Sequence, residues 1–253
     1  MNVNKIFKLL ASAALPVLML AACGGGDLDD RLDVADPKVR FVHANPLGPS
    51  YTLYREGVAQ VDVTGAGYKF AAPYFDVAEG AANWTVKTTT GSTDVATLPF
   101  DAKRGNLYTL VAVTGGLTGD VVLIDDPYNK RLTTSNARVR TLNASANAPN
   151  LDVYLTAPGA DLAAATPNMA AVGYKAAVPA SGGDSVEFNG GDYQLRVTPA
   201  GAKTVLFSAP VTLANNADWL LVSVPDSVVP NAIKLLVVKT DDATKTATEL
   251  SSQ

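Results

Sequence analysis

The stretch VRFVHANP at residues 39–46 decides the fold, because the chain repeats it as VRTLNASA at residues 139–146. Further echoes follow both stretches in the same order. The matched pairs are Tyr51-Thr52-Leu53-Tyr54 with Leu151-Asp152-Val153-Tyr154, Gly67-Tyr68-Lys69 with Gly173-Tyr174-Lys175, Asn83-Trp84-Thr85-Val86-Lys87 with Asp192-Tyr193-Gln194-Leu195-Arg196, and Leu107-Tyr108 with Asp218-Trp219. Their offset grows slowly, as expected when two copies of one domain differ by loop insertions. The sequence therefore predicts a tandem duplication.

Short apolar segments separated by turn residues fill both copies. In the second copy Tyr193, Leu195 and Val197 alternate with Gln194, Arg196 and Thr198. This two-residue period is typical of a strand with one solvent-exposed face. Residues 107–113, 219–224 and 233–238 are almost continuously apolar, as in central strands that are covered on both sides. Segments of this spacing, broken by Gly, Pro, Asn and Asp, predict about seven strands per copy and an all-β fold of the sandwich type.

The repeated residues resemble a known family. The pattern V-R-x-x-H-A-x-P, a strand ending in Tyr and a later strand entry of the Gly-Asn/Asp-Tyr type are similar to the bacterial domain of unknown function 4397, which often occurs in tandem on exported proteins. The resemblance covers residues 38–126 and 137–242, with Thr52 where the family often has Asp and Asn143 where it has His. It implies an immunoglobulin-like sandwich in each copy and supplies no activity and no catalytic residues.

The first 22 residues have the parts of a secretory signal. Lys5 and Lys8 form a short basic start, an apolar run follows from Leu9 to Leu20, and two alanines end it. That run is too short to span a bilayer, which takes about 20 apolar residues. We therefore expect an export signal and not a transmembrane helix.

The end of this signal resembles the box of bacterial lipoproteins. Leu20, Ala21, Ala22 and Cys23 match the box at every position, and Cys23 is the only cysteine in the chain. The alternative is an incidental thiol near an ordinary cleavage site. The resemblance implies cleavage before Cys23 and acylation of that residue, and two or more acyl chains give stable anchoring. Gly24, in place of the Asp that retains lipoproteins at the inner membrane, favours the outer membrane of a Gram-negative bacterium.

The predicted organisation has six parts. They are a lipoprotein signal peptide at residues 1–22, the lipidated Cys with a flexible tether at residues 23–37, repeat 1 at residues 38–126, a polar linker at residues 127–136, repeat 2 at residues 137–242 and a C-terminal tail at residues 243–253. The tether is rich in Gly and Asp and cannot bury enough surface to order itself, so we interpret its carboxylates as solvated and not as a cation site. We expect the tail to be frayed.

The charge of the chain argues against nucleic acid as a partner. The formal net charge is −4, and loss of Lys5 and Lys8 with the leader makes it more negative. No basic stripe is available to neutralise phosphates. The expected partners are therefore the membrane, through lipid on Cys23, and an envelope protein or a glycan.

The search for catalytic residues yields two weak candidates. His43 is the only histidine, but its counterpart is Asn143, so we expect both to form hydrogen bonds at a strand end. Paired carboxylates end the last strand of each copy, at Asp125-Asp126 and Asp241-Asp242. Adjacent strand residues point to opposite faces, so solvated strand ends are the favoured interpretation, although cation binding stays open. No catalytic residue, metal ligand or cofactor site is predicted.

The aromatic residues leave a second function open. Tyr51, Tyr54, Tyr68, Tyr74 and Trp84 could form an exposed platform for sugar rings, although most should belong to the core. We thus expect a non-enzymatic envelope lipoprotein that displays two sandwich modules for structural or interaction roles. The alternative is a carbohydrate-binding module that acts on cell-wall or extracellular glycan.

Overall fold

The computed structural model describes residues 36–128, 134–240 and 242–253. The predicted leader, Cys23 and nearly all of the predicted tether lie outside these residues. All regular structure in the described ranges is β-strand, as predicted, and no helix there is long and apolar enough to cross a membrane. The strands are β1 (Lys38–His43), β2 (Tyr51–Arg55), β3 (Val58–Ala59), β4 (Phe75–Asp76), β5 (Gly80–Thr88), β6 (Asp94–Ala102), β7 (Leu107–Val113), β8 (Asp120–Asp126), β9 (Asn136–Asn143), β10 (Leu151–Thr156), β11 (Met169–Val172), β12 (Ala177–Val178), β13 (Val186–Asn189), β14 (Gly191–Pro199), β15 (Phe207–Leu213), β16 (Asp218–Pro225), β17 (Ile233–Lys239) and β18 (Thr248–Leu250).

The N-terminal half, residues 36–128, forms two sheets. The first has the order β3-β2-β5-β6 and is called the N-terminal outer sheet, and the second has the order β4-β1-β7-β8 and is called the N-terminal inner sheet. Strands β1 and β7 pair in parallel, with Val39 opposite Tyr108, whereas β7 and β8 are antiparallel. The predicted boundaries of repeat 1 coincide with the first residue of β1 and the last residue of β8.

The C-terminal half, residues 134–240 and 242–253, has the same core pairings. Its inner sheet has the order β12-β9-β16-β17-β18, with β13 also on β9, and its outer sheet has the order β11-β10-β14-β15. Strands β9 and β16 pair in parallel, with Val139 opposite Trp219, and β16 and β17 are antiparallel. The extra strands β13 and β18 make this inner sheet the larger of the two.

Three apolar cores separate the four sheets. The first lies between the N-terminal outer and inner sheets and includes Phe41, Leu53 and Trp84, all of them fully buried. The second lies between the C-terminal sheets and includes Leu195 and Leu221. The third core lies between the two inner sheets and joins the halves. Its members include Val42, Val111, Val113, Leu142, Val222 and Leu236.

The third core explains the continuously apolar strands. Every residue of β7 is buried, and β16 and β17 are buried over most of their length, which confirms the prediction of strands covered on both sides. Alternate residues of β7 face different cores: Leu110 packs toward the outer sheet, whereas Val111 packs toward the C-terminal half. The second cover of each inner sheet is therefore the inner sheet of the other half.

The prediction of a frayed C-terminal tail is wrong. Strand β18 pairs with β17, with Leu236 opposite Glu249, and Ala247 is buried in the third core. The segment before β18 also pairs with the N-terminal half, because the Ala71 N–H donates to the Lys245 carbonyl and the Ala247 N–H donates to the Lys69 carbonyl. The tail is an edge element of one half that is hydrogen-bonded to the other.

Candidate functional site

A cluster of buried charges lies at one end of the third core. It consists of Arg40, Asp126, Arg138, Arg140 and Asp218, and we call it the buried ion cluster. Strands β1, β9 and β16 begin at this end and β8 finishes there, so the repeated Val-Arg pairs bring arginines from both halves together. The Val side chains face their own sandwich cores, and because strand neighbours alternate, the arginines face the other half.

Asp126 connects two arginines of the opposite half. Its Oδ1 accepts a hydrogen bond of 3.0 Å from Arg138 Nη2, and its Oδ2 lies 3.6 Å from Arg140 Nη2. Arg138 Nη1 lies 3.6 Å from Asp218 Oδ2. Burial acts to lower the pKa of Arg138, but the carboxylates of Asp218 and Asp126 outweigh it and leave that pKa raised. The arginine is therefore a fixed charge that holds the sheets together.

Arg140 and Arg40 complete the cluster in different ways. Arg140 donates to the carbonyls of Pro179, Ala180 and Gly183, with distances of 2.6 Å and 2.8 Å to the first two. These bonds fix the segment between β12 and β13.

Arg40 lies over the ring of Tyr74, 4.5 Å from its centroid, and its Nε donates to Thr109 Oγ1 at 2.9 Å. Burial raises the pKa of Tyr74, so the phenol stays neutral beside the cluster. The Nη1 of Arg40 is buried without a hydrogen-bond partner, and Arg40 lines a cavity of about 10 Å³. A cavity of this size holds one water molecule. The cavity has room for a water molecule beside Arg40 but not for a substrate.

The expectation of solvated carboxylates is wrong for Asp126 because the C-terminal half covers the end of β8. Asp125 faces away from the cluster and accepts a hydrogen bond of 2.7 Å from Asn106 Nδ2. The predicted divergence of adjacent carboxylates is thus confirmed for this pair. Asp242 accepts from the Thr244 N–H at 2.9 Å, which leaves its pKa lowered, and Asp241 lies outside the described residues.

His43 and Asn143 make the same backbone bonds at equivalent strand ends. His43 Nε2 donates to the Pro49 carbonyl at 2.9 Å, and its Nδ1 accepts from the Asn45 N–H at 3.3 Å. Asn143 Nδ2 donates to the Pro149 carbonyl at 3.5 Å, and its Oδ1 accepts from the Ser145 N–H at 2.9 Å. The predicted hydrogen-bonding role at a strand end is confirmed. Because the Asn45 N–H must donate to Nδ1, the proton of neutral His43 is on Nε2.

Replacing His43 with Asn should flatten the pH dependence of stability in mildly acidic solution. Burial lowers the pKa of His43 from 6.5, so the unfolded chain binds the proton more readily. Its contribution is complete above pH 6.5 and is lost as the pH falls from there through the lower pKa of the folded state. At neutral pH the variant should be less stable by about 1–2 kcal/mol, since it loses the stacking on Tyr51.

Urea unfolding of the wild type and His43→Asn at several pH values measures this difference. The stability gap between them should narrow as the pH falls below 6.5. A gap that stays constant over this range would show that His43 does not titrate differently in the folded state.

The first Gly-Tyr-Lys triplet reaches from the N-terminal half to the C-terminal tail. Lys69 Nζ lies 2.8 Å from Glu249 Oε2, and Tyr68 is at hydrogen-bond distance, 3.5 Å, from the same carboxylate oxygen. Burial and the nearby Glu249 raise the pKa of Tyr68, so its phenol remains the donor. The backbone at Lys69 has a φ of 70°, a left-handed conformation that turns the triplet toward the other half.

The second triplet makes the reciprocal contact. Lys175 Nζ pairs with Asp120 Oδ2, and the Tyr174 hydroxyl donates to the Thr114 carbonyl, both at the turn between β7 and β8. Lys175 has a φ of 61°, which matches Lys69. The sequence shows the two triplets as an internal repeat, but it does not assign them a role. The repetition of a lysine in a turn is the signal that could have identified them as contact residues.

The family comparison applies to the region that contains the first of these elements. Residues 37–154 match a family model described as Domain of unknown function (DUF4397). The DUF4397 match begins just before β1 and ends inside β10, so it covers the strands of the N-terminal half, all of β9 and part of β10. It supports the resemblance over the first copy and brings no activity with it. No curated protein matches the chain.

The five aromatic residues of the possible sugar platform lie within the DUF4397 match, and none of them is an exposed side chain. Tyr51 and Trp84 are fully buried. Tyr54, Tyr68 and Tyr74 are half-buried, and each lies against a cation. Those partners are Lys87, Lys69 and Arg40 respectively. Trp84 and Tyr108 also stack on opposite sides of Phe100 in the core, at 5.5 Å and 4.8 Å.

Leu20, Ala21, Ala22 and Cys23 lie outside the described residues, so lipidation stays a prediction. Within the described part of the chain, no three His, Cys, Asp or Glu side chains are grouped so that they could hold a metal ion. His43 and the carboxylates of the buried ion cluster are instead occupied by hydrogen bonds and ion pairs.

Proposed function

We propose that the protein is a non-enzymatic lipoprotein of the bacterial cell envelope. In this proposal Cys23 carries the lipid and residues 24–37 connect it to the folded part. The sequence support is the match of Leu20 to Cys23 with the lipoprotein box. Gly24 after the lipidated residue favours the outer membrane of a Gram-negative bacterium.

The folded part consists, in this proposal, of two immunoglobulin-like sandwiches that arose by tandem duplication. The identical core pairings support it: β1, β7 and β8 correspond to β9, β16 and β17, and β2, β5 and β6 correspond to β10, β14 and β15. The hydrogen bonds shared by His43 and Asn143 support it independently.

The single observation that carries a structural or interaction role is the joining of the two halves. Five of the six buried charged side chains of the described chain, those of the buried ion cluster, serve this contact, and so do both Gly-Tyr-Lys triplets. The charged and hydrogen-bonding side chains that could have formed a reactive site thus fix the two sandwiches relative to one another. Such a body suits the presentation of surfaces at a fixed geometry above a membrane.

Replacing Cys23 with Ala should abolish acyl labelling and release the protein from membranes. In this proposal the thiol is the acceptor of the lipid, and stable anchoring needs two or more acyl chains, so the variant loses the attachment that the proposal assigns to Cys23. Metabolic labelling with an alkyne fatty acid, followed by membrane fractionation, measures both effects.

The matched control is Ala22→Gly, since the box accepts either residue before the cysteine. This variant should keep its label and its membrane fraction. A Cys23→Ala protein that still carries label would refute the lipoprotein assignment.

A glycan-binding role is the second candidate. The aromatic platform offers no exposed row for it, but a cavity in the C-terminal half gives it a different location.

A further inference from the structure

Tyr108 and Trp219 occupy the same register position in the two halves but differ in their surroundings. Tyr108 pairs with Val39, and Trp219 pairs with Val139. Tyr108 is only 2% exposed, and its hydroxyl accepts from the Lys103 N–H and donates to the Asp101 carbonyl. The turn before β7 therefore closes over this ring.

Trp219 instead lines an open cavity of about 440 Å³. The turn before β16 forms one wall, and the ends of β16 and β17 form the other. Small-molecule sites commonly measure about 300–1,000 Å³, so the cavity is large enough for a ligand. Trp219 is half-buried, with one part against the C-terminal core and Lys239 Nζ 5.7 Å from its ring centroid.

The wall formed by the turn includes Asn215 and Asn216. The Oδ1 of Asn216 is itself buried without a hydrogen-bond partner, so the rest of this side chain faces the cavity. Asn216 has a φ of 62°, a left-handed conformation that Asn tolerates well. The neighbouring Asn215 side chain fits against Gly190, where any Cβ would collide with its amide. The turn thus holds two amide side chains at the cavity.

The opposite rim is fixed and nearly neutral. The Thr240 N–H donates to the Asp218 carbonyl at 3.1 Å, which ties the end of β17 to the start of β16. Lys239 and Asp242 bring one positive and one negative charge to the rim. A strongly charged ligand would meet repulsion from one of them, whereas a neutral ligand with many hydroxyl groups could use both.

We propose that this cavity binds a neutral pyranose saccharide. One face of a pyranose ring carries C–H groups that pack on an indole, and its hydroxyl or acetamido groups hydrogen-bond to amides and charged side chains. The side chains of Asn215 and Asn216 line the cavity and would provide such amide contacts. The site belongs to the C-terminal half alone, because Tyr108 is enclosed at the equivalent position.

Binding can be measured with full-length protein purified in detergent and three soluble probes: the tetrasaccharides of β-1,4-linked N-acetylglucosamine, β-1,4-linked glucose and α-1,4-linked glucose. The chain has two tryptophans, and Trp84 is fully buried, so Trp84→Phe leaves Trp219 as the reporter. At least one probe should shift the fluorescence of Trp84→Phe and release heat in calorimetry with the wild type.

Two variants locate the site. Trp219→Ala should weaken binding by about tenfold or more, and Asn216→Gly should weaken it by about 2- to 10-fold, the range for one hydrogen bond. Glycine keeps the left-handed backbone, so Asn216→Gly tests the site even if Trp219→Ala does not fold. Tyr54→Ala, in the other half, should bind as the wild type does.

Absence of binding by all three saccharides would overturn this proposal, and so would affinity that is unchanged in Asn216→Gly. Neither result bears on the lipid anchor, because Cys23 labelling is measured separately. A Tyr54→Ala protein that loses binding would place the saccharide in the N-terminal half and equally overturn the assignment.

Discussion

Asp126→Ala will lower the free energy of unfolding by about 3–5 kcal/mol, because removal of one partner leaves buried charges without compensation. Asp126 is the acceptor for Arg138 and lies beside Arg140, and both arginine side chains are only 4% exposed. After the substitution, three arginines of the buried ion cluster would share the single carboxylate of Asp218. Burial leaves little water to screen their mutual repulsion.

The adjacent residue supplies the matched control. Asp125 is on the same strand but on the opposite face, where it accepts from Asn106 and from no arginine. Asp125→Ala should cost only about 1 kcal/mol, the net value of one hydrogen bond. Chemical unfolding of the two variants beside the wild type measures the difference. Equal losses for Asp125→Ala and Asp126→Ala would mean that the cluster does not hold the halves together.

The sequence predicted the strands better than it predicted what covers them. Leu107–Val113 is apolar at every position except Thr109, which indicates burial on both faces, and the structure confirms it. Hydrophobic periodicity does not identify the covering layer, however, because a helix, a loop or another sheet would leave the same pattern. The second cover comes from residues about 100 positions away, through the third core.

The buried ion cluster escaped prediction for a related physical reason. A charged residue that alternates with valine in a strand normally indicates a wet face, so Arg40 and Arg140 resembled solvated positions. They are 5% and 3% exposed because Arg140 meets Asp126 of the other half, whereas Arg40 lies over Tyr74 and donates to Thr109. The Val-Arg echo is visible in both copies, but nothing in the sequence pairs these arginines with Asp126, which lies only 12 residues before Arg138 and is predicted to be a solvated strand end.

Deletion of residues 243–253 will destabilise the protein by about 3–5 kcal/mol, from the loss of several net hydrogen bonds. The deletion removes β18 from the edge of β17 and takes away Ala247 from the third core. It also removes the backbone bonds between Lys69, Ala71 and the tail. A frayed tail would make none of these contacts, and its deletion would leave the free energy of unfolding unchanged.

The tail forms ion pairs with both halves, so its deletion should lower the stability of both. Glu249 lies 2.8 Å from Lys69 Nζ in one half and 3.4 Å from Lys234 Nζ in the other, and Lys245 lies 3.4 Å from Asp62. Each exposed or half-exposed pair contributes little by itself. Together with the strand pairing, they connect the first Gly-Tyr-Lys triplet to the C-terminal inner sheet.

Deletion of residues 251–253 alone is the control for this truncation. It removes the bond from the Gln253 N–H to the Ser208 carbonyl but leaves β18 in place, so the cost should stay near 1 kcal/mol. Urea unfolding followed by the fluorescence of Trp84 and Trp219 reports one tryptophan in each half. The longer deletion should lower the urea midpoint reported by both tryptophans, because β18 stabilises the contact between the halves. A lower midpoint at Trp219 alone would show that the tail stabilises only its own sheet.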